Sequence, residues 1–199
     1  LSGASTPMPL YEIFAKDVMN DGGLDAGAVA MVDERYGKPY HQESNELAIK
    51  NTGFLKFLDS RDIPFHQVLG LASREELAQE YDQTVRMLLQ QFPKSAAVLG
   101  MGADGHTAGL PAGIQDLKLK TRNLVEEFDN FPGPQRERIT LTFEGFSQID
   151  FLLVLVFGEE KKKALELMFA EGPEEEIPAR FFKREEIAKK TLFITDQKI

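Results

Sequence analysis

Apolar positions along the chain follow two rhythms. Residues 27–32, 96–101 and 150–157 are short, largely apolar runs closed by glycine or charge, which is the composition of strands buried on both faces. Elsewhere apolar positions recur every three to four residues, most regularly at Leu77, Tyr81, Val85, Leu88 and Phe92, behind a Ser73–Glu76 capping box and ahead of Pro93. Further helices are predicted over 9–19, with Thr6 as N-cap and Pro7 at the first helical position, over 44–58 from a Ser44–Asn45 cap, from Gly158 onward with Leu165, Met168 and Phe169 inward, and near 183–190. Residues 63–69 read as a short strand or extended connector, 123–128 as an extended edge, and 191–195 as a closing strand. Residues 136–142 alternate polar and apolar as a half-buried strand should. Strands alternating with helices build parallel sheets through right-handed crossovers, so the expected fold is α/β, a mostly parallel sheet with helices on both faces.

The 199 residues suit one domain spanning 1–199. Its first residues, Leu1 to Pro7, read as the end of a strand, a loop and the first turn of a helix. A one-residue strand cannot hold a sheet together, so the expectation is an N-terminal truncation. Lys and Arg number 23 against 32 Asp and Glu, a formal net charge of -9 that argues against nucleic acid and anionic membrane as partners. The absence of cysteine excludes disulfides, thiolate nucleophiles and zinc–thiolate sites, and fits a cytoplasmic protein. Three scattered histidines form no ligand cluster, so neither metal nor other cofactor is expected.

Chemistry concentrates where the second apolar run breaks into glycines. Gly100-Met101-Gly102-Ala103-Asp104-Gly105-His106 lies at a strand's carboxyl edge, where open α/β sheets bind ligands, and places a carboxylate two residues from an imidazole. Taken alone, Asp-Gly-His is equally an Asx-turn whose histidine caps something. The opening loop offers hydroxyls from Ser2, Ser5 and Thr6 and close backbone approach at Gly3, ahead of a helix N-terminus, a competent phosphate cradle or an ordinary capped loop. Asp33-Glu34-Arg35 follows the run at 27–32, again at a carboxyl edge, where a solvated loop also carries charge.

Together these strings resemble the superfamily of 6-phosphogluconolactonase and glucosamine-6-phosphate deaminase. The resemblance rests on six elements in family order: Ser-Gly-x-Ser-Thr-Pro from Ser2, Asp33-Glu34-Arg35, His41-x-x-Ser44-Asn45, the Gly100 to Ala108 string, Arg138-Ile139-Thr140 and Gly158-x-x-Lys161. It implies a Rossmann-like sheet preceded in other members by a helix and a strand. It implies hydrolysis of 6-phospho-D-glucono-1,5-lactone in the pentose phosphate pathway, with His106 as general base and Asp104 orienting or charge-supporting it. Ser2, Gly3, Ser5, Thr6, Asp33, Arg35, Arg138 and Lys161 would then hold the sugar phosphate, with Arg136 the alternative to Arg138; His41 reads as a structural or ligand-edge residue and His66 as structural.

Two departures from the family pattern bear on substrate fit: Gly109-Leu110-Pro111-Ala112 stands where Ser-Leu-Phe-Pro is usual, and Ala4 where glycine is common. Arg35 resembles the lactonase branch, since the deaminase branch has tyrosine there. That branch also places a glutamate five residues after the histidine, where this chain has Pro111. The alternatives are an isomerase or deaminase with Asp33 as proton-transfer base, and a non-catalytic sugar-phosphate sensor, which would usually add a DNA-binding module.

Overall fold

The computed structural model describes residues 1–17, 25–113 and 121–198. Its strands fall into parallel and antiparallel sets. β4 (Ala96–Gly100), β7 (Phe151–Val156) and β8 (Thr191–Thr195) pair in parallel with β7 in the middle, and β1 (Val29–Ala30) pairs in parallel with β3 (Phe65–His66). The backbone of Leu1 and Ser2 lies between the two parallel sets. Leu1 N donates to Ala30 O at 2.5 Å, Val32 N–H to Leu1 O at 2.9 Å, and Ser2 N–H to Val98 O at 3.0 Å. Leu1 thus makes a strand residue's hydrogen bonds, and the parallel layer runs β3, β1, residues 1–2, β4, β7, β8. This is the expected α/β architecture.

The second set is antiparallel: β2 (Asp33–Arg35), β6 (Arg138–Leu141) and β5 (Val125–Phe128), with β6 in the centre. The charged Asp33-Glu34-Arg35 string is therefore a strand and not a loop. Nor is β6 half-buried. All four of its residues are buried, because it has a strand on either side and the long helix α4 (Arg74–Gln91) packed against it. α4 starts at the expected capping box, with Ser73 and Glu76 exchanging side-chain and backbone hydrogen bonds, and buries Leu77, Ala78, Tyr81 and Val85.

The first helix, α1, is Met8–Asp17; the expected end at residue 19 lies outside the described residues. Pro7 precedes this helix, and its carbonyl accepts from Tyr11 N–H at 3.3 Å. The helix expected over 44–58 is two, α2 (Asn45–Asn51) and α3 (Phe54–Ser60). Gly53 breaks them apart at φ 84°, a left-handed conformation that favours glycine and ends helices. A short helix, α5 (Phe143–Ser147), is capped by Thr142, whose Oγ1 accepts from Gly145 N–H. α6 (Lys162–Phe169) follows β7. The segment near 183–190 is a 3-10 turn over Pro178–Lys183 followed by α7 (Glu185–Ala188). The core gathers one face of the parallel layer, including Leu99, Leu152 and Val154, with Tyr11, Phe54, Phe146 and Phe181. On the other face of β4–β7–β8, Phe151, Leu192 and Ile194 stay exposed among the described residues.

Candidate active site

At the carboxyl end of β4 the chain turns tightly: Gly105 N–H donates to Gly102 O and Gly102 N–H donates back to His106 O. The imidazole folds onto this turn, so a Cβ on Gly102 would lie 2.1 Å from His106 Cε1 and Nδ1; only glycine fits. Asp104 Oδ1 lies 2.6 Å from His106 Nδ1 and also accepts from the His106 backbone N–H at 3.1 Å. Burial alone would raise this carboxyl, but the hydrogen bonds and charge of His106 outweigh it and bring it down to about 2. An ionised carboxylate has no proton to give, so Nδ1 carries the hydrogen, and in the neutral imidazole the lone pair is at Nε2.

His106 opens onto a cleft of about 250 Å³ built from seven separated stretches of the chain. The opening loop supplies Ser2, Ser5 and Thr6, held by Tyr11, whose hydroxyl donates to Ser2 O at 2.9 Å. β2 and β6 supply Asp33, Arg35 and Arg138; their antiparallel register sets Arg35 directly opposite Arg138. Asn45 enters from the start of α2, and Lys161 from the 3-10 turn Glu159–Lys161 beyond β7. Met101, Ala108 and Phe131 line the remainder with small or apolar surface.

Two polar atoms of the cleft residues are buried without a hydrogen-bond partner among the described residues: Asp33 Oδ1 and Arg138 Nε. Asp33 is 6 % exposed and accepts from Asn45 Nδ2 through its other oxygen at 3.1 Å. Burial raises its carboxyl, opposed by the charges of Arg138 and Arg35 and by the Asn45 hydrogen bond. Arg138 sits with its guanidinium over the Phe131 ring, 4.3 Å from the centroid. Burial lowers this guanidinium from its ordinary value, opposed chiefly by Asp33. An unpaired buried acceptor and donor are costly unless something fills them, and a polyhydroxylated anion supplies both partners.

The middle residue of the charged string does other work. Glu34 is fully buried and accepts from Asn45 N–H at 2.6 Å, Glu46 N–H at 2.7 Å and Arg35 N–H at 2.6 Å, which caps α2 and presents Asn45 to the cleft. Burial pushes its carboxyl up to about 8 against those donors.

Of the residues singled out from sequence, Ser2, Ser5, Thr6, Asp33, Arg35, Arg138, Lys161 and His106 meet in the cleft. Asp104 stands behind His106 and outside the lining. Gly3 lies outside the lining; a Cβ there would come 2.2 Å from Asn45 Cβ, so glycine admits Asn45 beside the opening loop. Arg136 turns away, its Nε donating to Asp129 O at 3.4 Å. His41 Nε2 lies 3.0 Å from Arg35 O, behind β2. Phe131 was missed: Pro132 and Gly133 mark a turn, and only the bulky apolar residue ahead of them could have signalled more. Among the described residues, no three His, Asp or Glu side chains are grouped to hold a metal.

Residues 1–193 match the family described as glucosamine-6-phosphate isomerases/6-phosphogluconolactonase. The chain is 33 % identical to a 6-phosphogluconolactonase of Nostoc sp. over 192 residues, covering 91 % of this chain and 75 % of the relative. It is 30 % identical over 188 residues to one of Thermotoga maritima, covering 94 % and 79 %. A crystal structure of 6-phosphogluconolactonase from Thermotoga maritima superposes with a TM-score of 0.75 at 29 % identity, over 98 % of this chain and 82 % of that one.

Proposed function

The chain belongs to the family of glucosamine-6-phosphate isomerases and 6-phosphogluconolactonase, and we propose that it hydrolyses 6-phospho-D-glucono-1,5-lactone to 6-phosphogluconate. His106 Nε2 takes a proton from water, and the hydroxide attacks the lactone carbonyl carbon. The bond from that carbon to the ring oxygen then breaks, and the imidazolium returns its proton to that oxygen. Asp104, ionised and held at Nδ1, sets the tautomer and offsets the imidazolium charge. The phosphate is held by Ser5, Thr6, Arg138 and Lys161, with the N-terminus of α1 behind the loop. Asp33, through its unpaired Oδ1, accepts a sugar hydroxyl, and Arg35 adds positive charge on the same wall. Anchoring the distant phosphate aligns the carbonyl while taking no part in bond breaking.

The observation that carries this reading is the 2.6 Å Asp104–His106 contact at the rim of a cleft holding three cationic side chains. Deamination is the reading of the sister branch, and Pro111 stands against it: proline has no side-chain proton to exchange where that branch uses glutamate. The test follows 6-phosphogluconolactone by NMR, corrected for spontaneous hydrolysis, beside a coupled ammonia assay on glucosamine 6-phosphate. Accelerated lactone loss without ammonia is expected; ammonia release at about 1 s⁻¹ or more overturns the assignment.

A further inference from the structure

Phe131 is 8 % exposed, and among the described residues it is not part of the main hydrophobic cluster. Its ring is buried by the cleft. One contact is the Arg138 guanidinium, 4.3 Å from the ring centroid; another is the His106 imidazole, with centroids 5.0 Å apart and planes at 80°. The connection that carries the ring is itself pinned. Phe131 N–H donates to Arg136 O at 3.1 Å just beyond the last β5–β6 pair, Phe128 opposite Arg138. Below it, Arg74 clamps Glu127 on one strand and Glu137 on the other side of the connection.

These contacts give the aromatic ring a task that its volume alone does not perform. Asp104 tethers the imidazole at Nδ1, and a single hydrogen bond does not by itself fix rotation about its own axis; a perpendicular aromatic neighbour restricts that rotation. The guanidinium has a buried Nε without a hydrogen bond, and the ring face offers it a negative quadrupole. We propose that Phe131 is a positioning residue that holds the His106 imidazole and the Arg138 guanidinium in one fixed mutual arrangement, so that anchoring the anion aligns the base. This inference rests on the lactonase reading for its kinetics, though not for its geometry.

The test compares Phe131→Leu, which keeps apolar bulk without a π face, with Phe131→Tyr, which keeps the face. In Phe131→Leu, KM should rise about 2- to 30-fold from the lost cation–π contact, and kcat should fall about 2- to 10-fold from the freed imidazole. Phe131→Tyr should restore both. The thermal midpoint of each variant separates folding from positioning, since a purely structural loss lowers apparent kcat and leaves KM alone. The ¹⁵N–¹H signals of the His106 ring should shift in Phe131→Leu and stay near the parent positions in Phe131→Tyr. Parent-like KM and kcat in Phe131→Leu, or a Tyr variant no better than Leu, overturns the proposal. If the parent protein fails to hydrolyse lactone, the lactonase reading falls by itself. Positioning is then judged on the His106 signals and on 6-phosphogluconate binding, and unchanged signals together with unchanged affinity in Phe131→Leu refute it.

Discussion

Asp104→Asn isolates charge from geometry at the heart of the site. Asp104 Oδ1 accepts from two donors at once, the His106 backbone N–H and Nδ1. A backbone N–H can bond only to an acceptor, so an asparagine must turn its carbonyl oxygen to the same place. The tautomer of His106 is then preserved and only the negative charge is lost. The carboxyl is lowered from 3.8 to about 2, a net lowering of roughly two units that corresponds to about 2.5 kcal/mol. Side-chain exposures of 44 % for Asp104 and 31 % for His106 let water screen much of this, leaving about 1 kcal/mol. The expected result is a fall in kcat of about 5- to 10-fold with KM unchanged, since Asp104 is not part of the cleft lining. A carboxyl depressed in the fold supports stability and catalysis above its ordinary value of 3.8, and that support is lost only as pH falls toward about 2. Between pH 4 and pH 8 the ratio of parent to Asp104→Asn kcat should therefore show no step from Asp104 protonation. Steady-state lactone hydrolysis at several pH values checks this. A loss near 10⁴-fold, a change in KM, or no loss at all would refute the argument from the shared acceptor.

Removing the imidazole itself, His106→Ala, should cut kcat by about 10²- to 10⁴-fold with little change in KM; near-full turnover would pass the role of base to another residue, Asp33 first. Arg138→Ala and Lys161→Ala should each weaken substrate binding by about 1.5 to 3 kcal/mol, read as KM, and parent values in both would relocate the phosphate pocket. Gly102→Ala places a methyl on the imidazole ring and should depress kcat while circular dichroism stays unchanged; full activity would show that the ring can sit elsewhere. Ser73→Ala removes the N-cap of α4, which is outside the cleft lining, and should cost about 1 kcal/mol in urea unfolding.

What could be read from the sequence depended on how far apart the interacting residues lie. The α4 capping box spans three residues, so its consequence follows from local geometry alone; a two-residue spacing in a loop does not by itself show contact, and the structure supplied the Asp104–His106 hydrogen bond. The buried apolar strands β4 and β7 were legible because their composition suits few other environments. The superfamily pattern extended this to most of the cleft, and Ser5, Thr6, Asp33, Arg35, Arg138 and Lys161 do meet there. Only the tertiary structure decided which member of each string faces the ligand. Asp33-Glu34-Arg35 became a strand because β6, more than 100 residues later, supplies its partner; alternation then sends Glu34 to cap α2 while Asp33 and Arg35 face the cleft. Gly3 reads as a ligand-approach glycine, and the fold adds that α2 brings Asn45 against it. Phe131 reads as part of a turn because its partners, His106 and Arg138, reach it through chain pairing. A residue's own type sets the chemistry it can offer; which neighbour receives it depends on contacts closed over long loops, and no local pattern encodes those.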